Sequence, residues 1–102
     1  MKRSNHIFPN NTICWVYIYT DGKKAEGSFR IAYHLDLREE MKRLSGDAKL
    51  IYFRRFHNIA DALGHKLLLE HLSRDSLDEL ILRMNPNGAD LRREILPKEE
   101  RE

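Results

Sequence analysis

Residues Lys49 to Pro86 read KLIYFRRFHNIADALGHKLLLEHLSRDSLDELILRMNP, and this run constrains the fold more than any other. Leu50, Ile51, Tyr52 and Phe53 form an unbroken apolar stretch, the pattern of a strand covered on both faces and central in its sheet. Asn58 then caps a helix, with Asp61 at its third position. Ser73 or Asp75 caps another, in which Leu77, Leu80, Ile81 and Met84 make the buried stripe, and Asn85-Pro86 ends it. A strand followed at once by two helices needs further strands beside it. The preceding residues supply them.

Ile13 to Thr20 is dense in aromatic and β-branched residues and reads as the first strand. Asp21-Gly22 opens a turn and Lys23 to Gly27 completes a hairpin loop. Ser28 to Leu35 alternates, with Phe29, Ile31, Tyr33 and Leu35 on one face and Ser28, Arg30, Ala32 and His34 on the other. Asp36 caps a first helix with Glu39 as its capping-box partner. Leu37, Met41 and Leu44 form its stripe, and Gly46 stops it. The expected order is therefore ββαβαα, an α/β domain with a three-stranded sheet flanked by helices. At 102 residues the chain supports a single core. Residues 1–11 read as a loose polar arm and 12–91 as the domain. Residues 92–102 read as a charged tail of disordered composition, although Leu91, Ile95 and Leu96 offer it a way to fold back.

Composition sets limits on function. A net charge of +2 is too small to argue for nucleic acid by itself. The single cysteine, Cys14, excludes an internal disulfide framework, fits a reducing compartment, and reads as a buried inert thiol. No run approaches membrane-spanning length, and a cytoplasmic protein without membrane association is expected. His57, Asp61 and His65 recur every four residues, but with no HExxH and no paired cysteines they read as an exposed polar helix face, and no metal site is expected. Lys66 is the odd residue. On a helical wheel it falls inside the apolar arc of Ile59, Ala62, Leu63 and Leu69, where its ammonium must reach water, meet an acid such as Glu70, or border a cleft.

Taken together, these segments resemble the GIY-YIG nucleases, in particular the short proteins made of that domain alone. Family members open with a strand such as YVYIL, close to WVYIY at Trp15 to Tyr19. Their TDLERR helix start is similar to YHLDLREEMKRL at Tyr33 to Leu44, and their KLVYYE to KLIYFRRF. The helix EALRREKELKRLSR is similar to DALGHKLLLEHLSR. An ending with LI, MNP and DL in that order appears as LILRMNPNGADL, Leu80 to Leu91. The likeness covers roughly Ile13 to Leu91.

The resemblance implies a site of two signature tyrosines, an arginine on the first helix and a glutamate on the second that holds a divalent metal, usually magnesium. Tyr17 matches the first tyrosine. Arg30-Ile31-Ala32 stands where YIG belongs, or Ala25-Glu26-Gly27 with the gap moved, and neither contains tyrosine. Glu39 takes the arginine position, with Arg38 beside it but turned about 100° around the helix. Lys66 takes the glutamate position, and an ammonium there repels a dication. SGDAK is also shorter than the family's basic, substrate-facing segment. A charge swap, Glu39 against Lys66, is one expected consequence.

The resemblance and its departures together imply a catalytically degenerate GIY-YIG domain kept for DNA binding through phosphate contacts. Arg30, Arg38, Lys42, Arg54, Arg55 and Lys66 are the candidate cations, and no cofactor is expected. One alternative is an active endonuclease with a rearranged site using Tyr17, Arg38 and His34 or Asp36, which would require magnesium. Another is a protein-interaction module with an apolar patch around Trp15. The sequence leaves a protein partner or self-association open.

Overall fold

Alternation along the first strand separates two hydrophobic layers. In the computed structural model, which describes residues 12–21 and 28–96, Cys14, Val16 and Ile18 point to one side of the sheet. Trp15, Tyr17 and Tyr19 point to the other. The strands are β1 (Cys14–Thr20), β2 (Phe29–His34) and β3 (Lys49–Phe56), and the helices α1 (Leu37–Arg43), α2 (Ile59–His71), α3 (Arg74–Met84) and α4 (Arg92–Ile95). The sheet is antiparallel in the order β2-β1-β3. On the Val16 side α2 and α3 close a core with Ile51, Tyr52, Ala62, Leu69 and Ile81. On the Tyr17 side α1 and α4 close a second, with Leu37, Met41, Leu50 and Leu96. The arm at 1–11 and the loop at 22–27 lie outside the described residues.

All three long helices start where capping chemistry places them. Asp36 accepts the Glu39 N–H at 3.1 Å, Asn58 the Asp61 N–H at 2.8 Å, and Ser73 the Ser76 N–H at 3.1 Å. Each bond satisfies one of the donors that a first helical turn leaves unpaired.

The expectation that β3 is central is corrected: β1 is the central strand and β3 an edge. Two features give an edge strand a central strand's composition. Tyr19 pairs with Leu50 and Ile18 with Tyr52, so Ile51 is an extra, bulged residue. The bulge lets Ile51 and Tyr52 enter the same core while Leu50 enters the other. The outer edge of β3 is then closed by side chains and a turn. Asn85, only 5% exposed, donates to the Ile51 carbonyl at 3.2 Å and the Ala89 carbonyl at 2.9 Å. Its Oδ1 accepts the Ala89 N–H at 3.1 Å. Asp90 accepts the Leu50 N–H at 3.1 Å, and the Leu91 N–H donates to the Leu50 carbonyl at 2.7 Å. Gly88, at φ 63°, supplies the left-handed residue this turn requires.

Other expectations need correction too. The boundary placed at 91 falls inside the folded unit, because Arg92–Ile95 is helical and Leu96 is buried, which is the fold-back that Leu91, Ile95 and Leu96 allow. Arg92 anchors that segment, donating to the Ser45 carbonyl at 3.0 Å, to Ala48, and to Asp90 at 3.0 Å. Met84, expected in the stripe of α3, is 61% exposed, and Leu63, expected inward on α2, is 37% exposed. Leu63 lies at the margin of a stripe too narrow to reach it, whereas Met84 lies within its stripe but is the last residue of α3.

Replacing Asn85 with Asp keeps its shape but removes its donor and adds a buried charge. A loss of about 3 kcal/mol in urea unfolding is expected, against less than about 1 kcal/mol for the exposed Asn87→Asp. Equal effects at the two sites would contradict the role given to Asn85.

Candidate functional site

Tyr17 sits in the middle of the central strand, beneath Leu37 and Met41 of α1, and is 2% exposed. Its ring stacks on Tyr19 at 5.9 Å between centroids. Its hydroxyl is in hydrogen-bonding reach of Glu40, whose carboxylate lies 3.4 Å from His34 Nε2. The Asp36 N–H donates to His34 Nδ1 at 2.9 Å. That bond fixes the tautomer: the ring proton sits on Nε2, facing Glu40. Burial, the Glu40 charge, Tyr19 and the bond to Glu40 push the Tyr17 phenol far above the ordinary tyrosine range. It therefore stays protonated at neutral pH and acts as a donor, not a base. Glu40 and His34 form this cluster where the family pattern points to Glu39. The available signal is spacing, since Glu40 lies three residues beyond Leu37 on the inner margin of α1.

The sheet's pleat sorts the candidate cations. Arg30 is the cross-strand partner of Tyr19 and Arg55 of Trp15, so both belong to the α1 side. Each is exposed and makes no ion pair with a described residue. Arg38 and Lys42 project from the outer surface of α1, where Arg38 Nη1 donates to the Ile95 carbonyl at 3.5 Å and Lys42 lies 3.4 Å from Glu39. Beside them Trp15 and Phe53, both half-buried, meet at 6.0 Å in a tilted pair. Arg54, opposite Val16, belongs to the other side, and its guanidinium lies 5.1 Å over the Phe56 ring.

Lys66 is on that other side as well. Its ammonium is 2.7 Å from Glu70, one turn along α2. Glu39 and Lys66 sit on helices packed against opposite faces of the sheet, so the expected charge swap is corrected. Glu39 pairs with Lys42 and Lys66 with Glu70. The polar face expected for His57, Asp61 and His65 is likewise split. Tyr52 and His65 Nε2 are 2.8 Å apart, and the His65 ring packs 5.2 Å from Phe56. Burial lowers the His65 pKa from the ordinary 6.5, with Arg54 adding to the effect, while burial raises that of Tyr52. A protonated phenol thus donates to a neutral imidazole.

The resemblance implies magnesium, and the residues do not fit it. Lys66, which the resemblance sets at the position of the metal-holding glutamate, carries an ammonium, and the neighbouring Glu70 carboxylate is engaged by it. Among the described residues no group of three or more His, Cys, Asp or Glu is placed to hold a metal ion. No helix among them is long and apolar enough to cross a membrane. No family model, curated protein or solved structure matches the chain.

His65 gives a pH test. Its pKa is lower folded than unfolded, so the unfolded chain takes up the proton more readily. The associated stability is present above the unfolded value near 6.5 and is lost as pH falls through the folded value. Thermal melts at neutral pH and at mildly acid pH are expected to differ less for His65→Gln than for the unmodified chain. An unchanged difference would contradict a half-buried, neutral His65.

Proposed function

We propose that this chain is a degenerate GIY-YIG-like domain that binds the phosphate backbone of DNA without cutting it. The observation that carries this reading is the gathering of Arg30, Arg38, Lys42 and Arg55 on the α1 side, two of them without an ion-pair partner among the described residues. Guanidinium groups in that condition are the natural ligands of phosphate oxygens. From the register, Arg30 and Arg55 are about 16 Å apart, four residues along β1 and two strands across, enough to span several phosphates of one strand. Trp15 and Phe53 adjoin Arg55 as an apolar floor against which sugars or bases can rest. Arg54 and Lys66 take no part in this face.

Two features argue against hydrolysis. Lys66 and Glu70 form an ion pair where the family holds its metal. Tyr17 is buried and protonated, so it neither reaches a substrate nor accepts its proton. The rearranged endonuclease built on Tyr17, Arg38 and His34 or Asp36 therefore lacks a usable base at its first residue. A protein-interaction role is favoured by different residues from those expected: Leu63, Leu67 and Leu68 are exposed on α2, whereas Trp15 is half-buried.

Binding to labelled single-stranded, duplex and branched DNA, measured with magnesium at two salt concentrations and followed by electrophoresis, tests the reading. Four phosphate contacts predict a loss on the order of 100-fold between roughly 50 and 200 mM salt, with the DNA intact. Arg30→Ala with Arg55→Ala is expected to reduce the salt slope by about 2, and Arg54→Ala to leave it unchanged. Absent or salt-insensitive binding would overturn the phosphate contacts; cleavage would overturn the loss of activity.

A further inference from the structure

We infer that two copies of this chain associate through β2, pairing their sheets edge to edge and packing α2 against its counterpart. Among the described residues β2 pairs only with β1, so its outer edge presents backbone donors and acceptors that no described strand takes up. That edge lacks the usual protections against strand pairing. It has neither proline nor bulge, and its single Arg30 points to the α1 side. Its α2 side is apolar. Tyr33 is 44% exposed and Leu35, just past the strand, 45% exposed. At the opposite end of β2 an open groove of about 420 Å³ is lined by Phe29, Ile31, Leu69, Leu72 and Leu77, with Glu70 and Arg74 at its rim.

Projection at one end and groove at the other are self-complementary under a two-fold axis. With the axis at Ala32, antiparallel pairing sets Ile31 against Tyr33 of the second copy and Phe29 against its Leu35. The projecting side chains then enter the groove. The helices agree with this. Since α2 packs mainly over β1 and β2 and less over β3, it lies about 6 Å from such an axis and the two α2 helices about 12 Å apart, slightly wider than ordinary helix packing and within reach of leucine and lysine side chains. His65 marks the β3 side of α2 and Glu70 the β2 side. Leu63, two turns before Glu70, therefore faces the axis, with Leu67 at its margin.

Charge fits as well. Lys66 and Glu70 lie one turn apart on this face, so in antiparallel helices each ammonium meets the other copy's carboxylate. Tyr33, Leu35, Leu63 and Leu67 offer on the order of 400 Å² per copy, about half of a standard interface, so the dimer expected is weak and concentration-dependent. A two-fold axis normal to the sheet also leaves both α1 faces on one side, so the pairing does not depend on the DNA reading.

Sedimentation equilibrium of the full chain from micromolar to near-millimolar concentration tests the pairing. A reversible dimer is expected. Lys66→Glu gives one variant two carboxylates on this face, and Glu70→Lys gives the other two ammoniums, so each alone is expected to dimerise about tenfold more weakly. Mixing the two variants in equal amounts is expected to restore the dimer, which also shows that both are folded. A chain monomeric throughout, because an arm or another ligand occupies the β2 edge, overturns the inference. So does a dimer indifferent to both substitutions, or a mixture no tighter than either variant.

Discussion

The outer edge of β3 is closed without a fourth strand, and the rest of the structure depends on that closure. Asn85 satisfies the carbonyl left over by the bulge at Ile51, while Asp90 and the Leu91 N–H take the donor and acceptor of Leu50. Burial by itself raises the Asp90 carboxyl, but hydrogen bonds from Arg92 and from the Leu50 N–H outweigh it and hold it below the ordinary carboxylate value. Arg92 extends the clamp to the loop between α1 and β3. Through it α4 reaches the α1 side, where Leu96 helps bury Tyr17. A turn that satisfies an edge thus also sets the environment of the tyrosine on the central strand.

Local rules carry far in this chain. Period-two alternation identifies β2, and the side chains of Asp36, Asn58 and Ser73 mark three helix starts because each completes a short-range hydrogen bond. Order within the sheet is not legible. Burial of Leu50, Ile51 and Tyr52 on both faces is the same whether a strand or a turn covers the edge, and the bulge disguises the alternation. The tail misleads at Arg92 because its charge suggests solvation, whereas its guanidinium is bound to three carbonyl-bearing loop residues and Asp90. His65 misleads because its partner, Tyr52, lies on another element.

The candidate site is legible as residue types more than as a place. Six cations are identifiable, but only the pleat decides which share a surface: Arg30 and Arg55 stand with α1, Arg54 and Lys66 with α2 and α3. The charge swap between Glu39 and Lys66 fails for the same reason, since a sheet lies between the two helices. Lys66 is anomalous within an apolar arc, and Glu70, a candidate by spacing alone, is its partner. The two faces then carry different chemistry. One offers guanidinium groups beside aromatic rings, and the other offers leucines and a compact ion pair beside an open strand edge.

The central claim is that phosphate is held on the α1 side and nowhere else. The most direct measurement is a nuclear magnetic resonance titration of isotopically labelled protein with a short single-stranded DNA in the presence of magnesium. The account predicts shifts confined to Arg30, Arg38, Lys42, Arg55 and the Trp15 indole, with α2 and α3 undisturbed. Shifts centred on Lys66 and Arg54, or none at all, would contradict it.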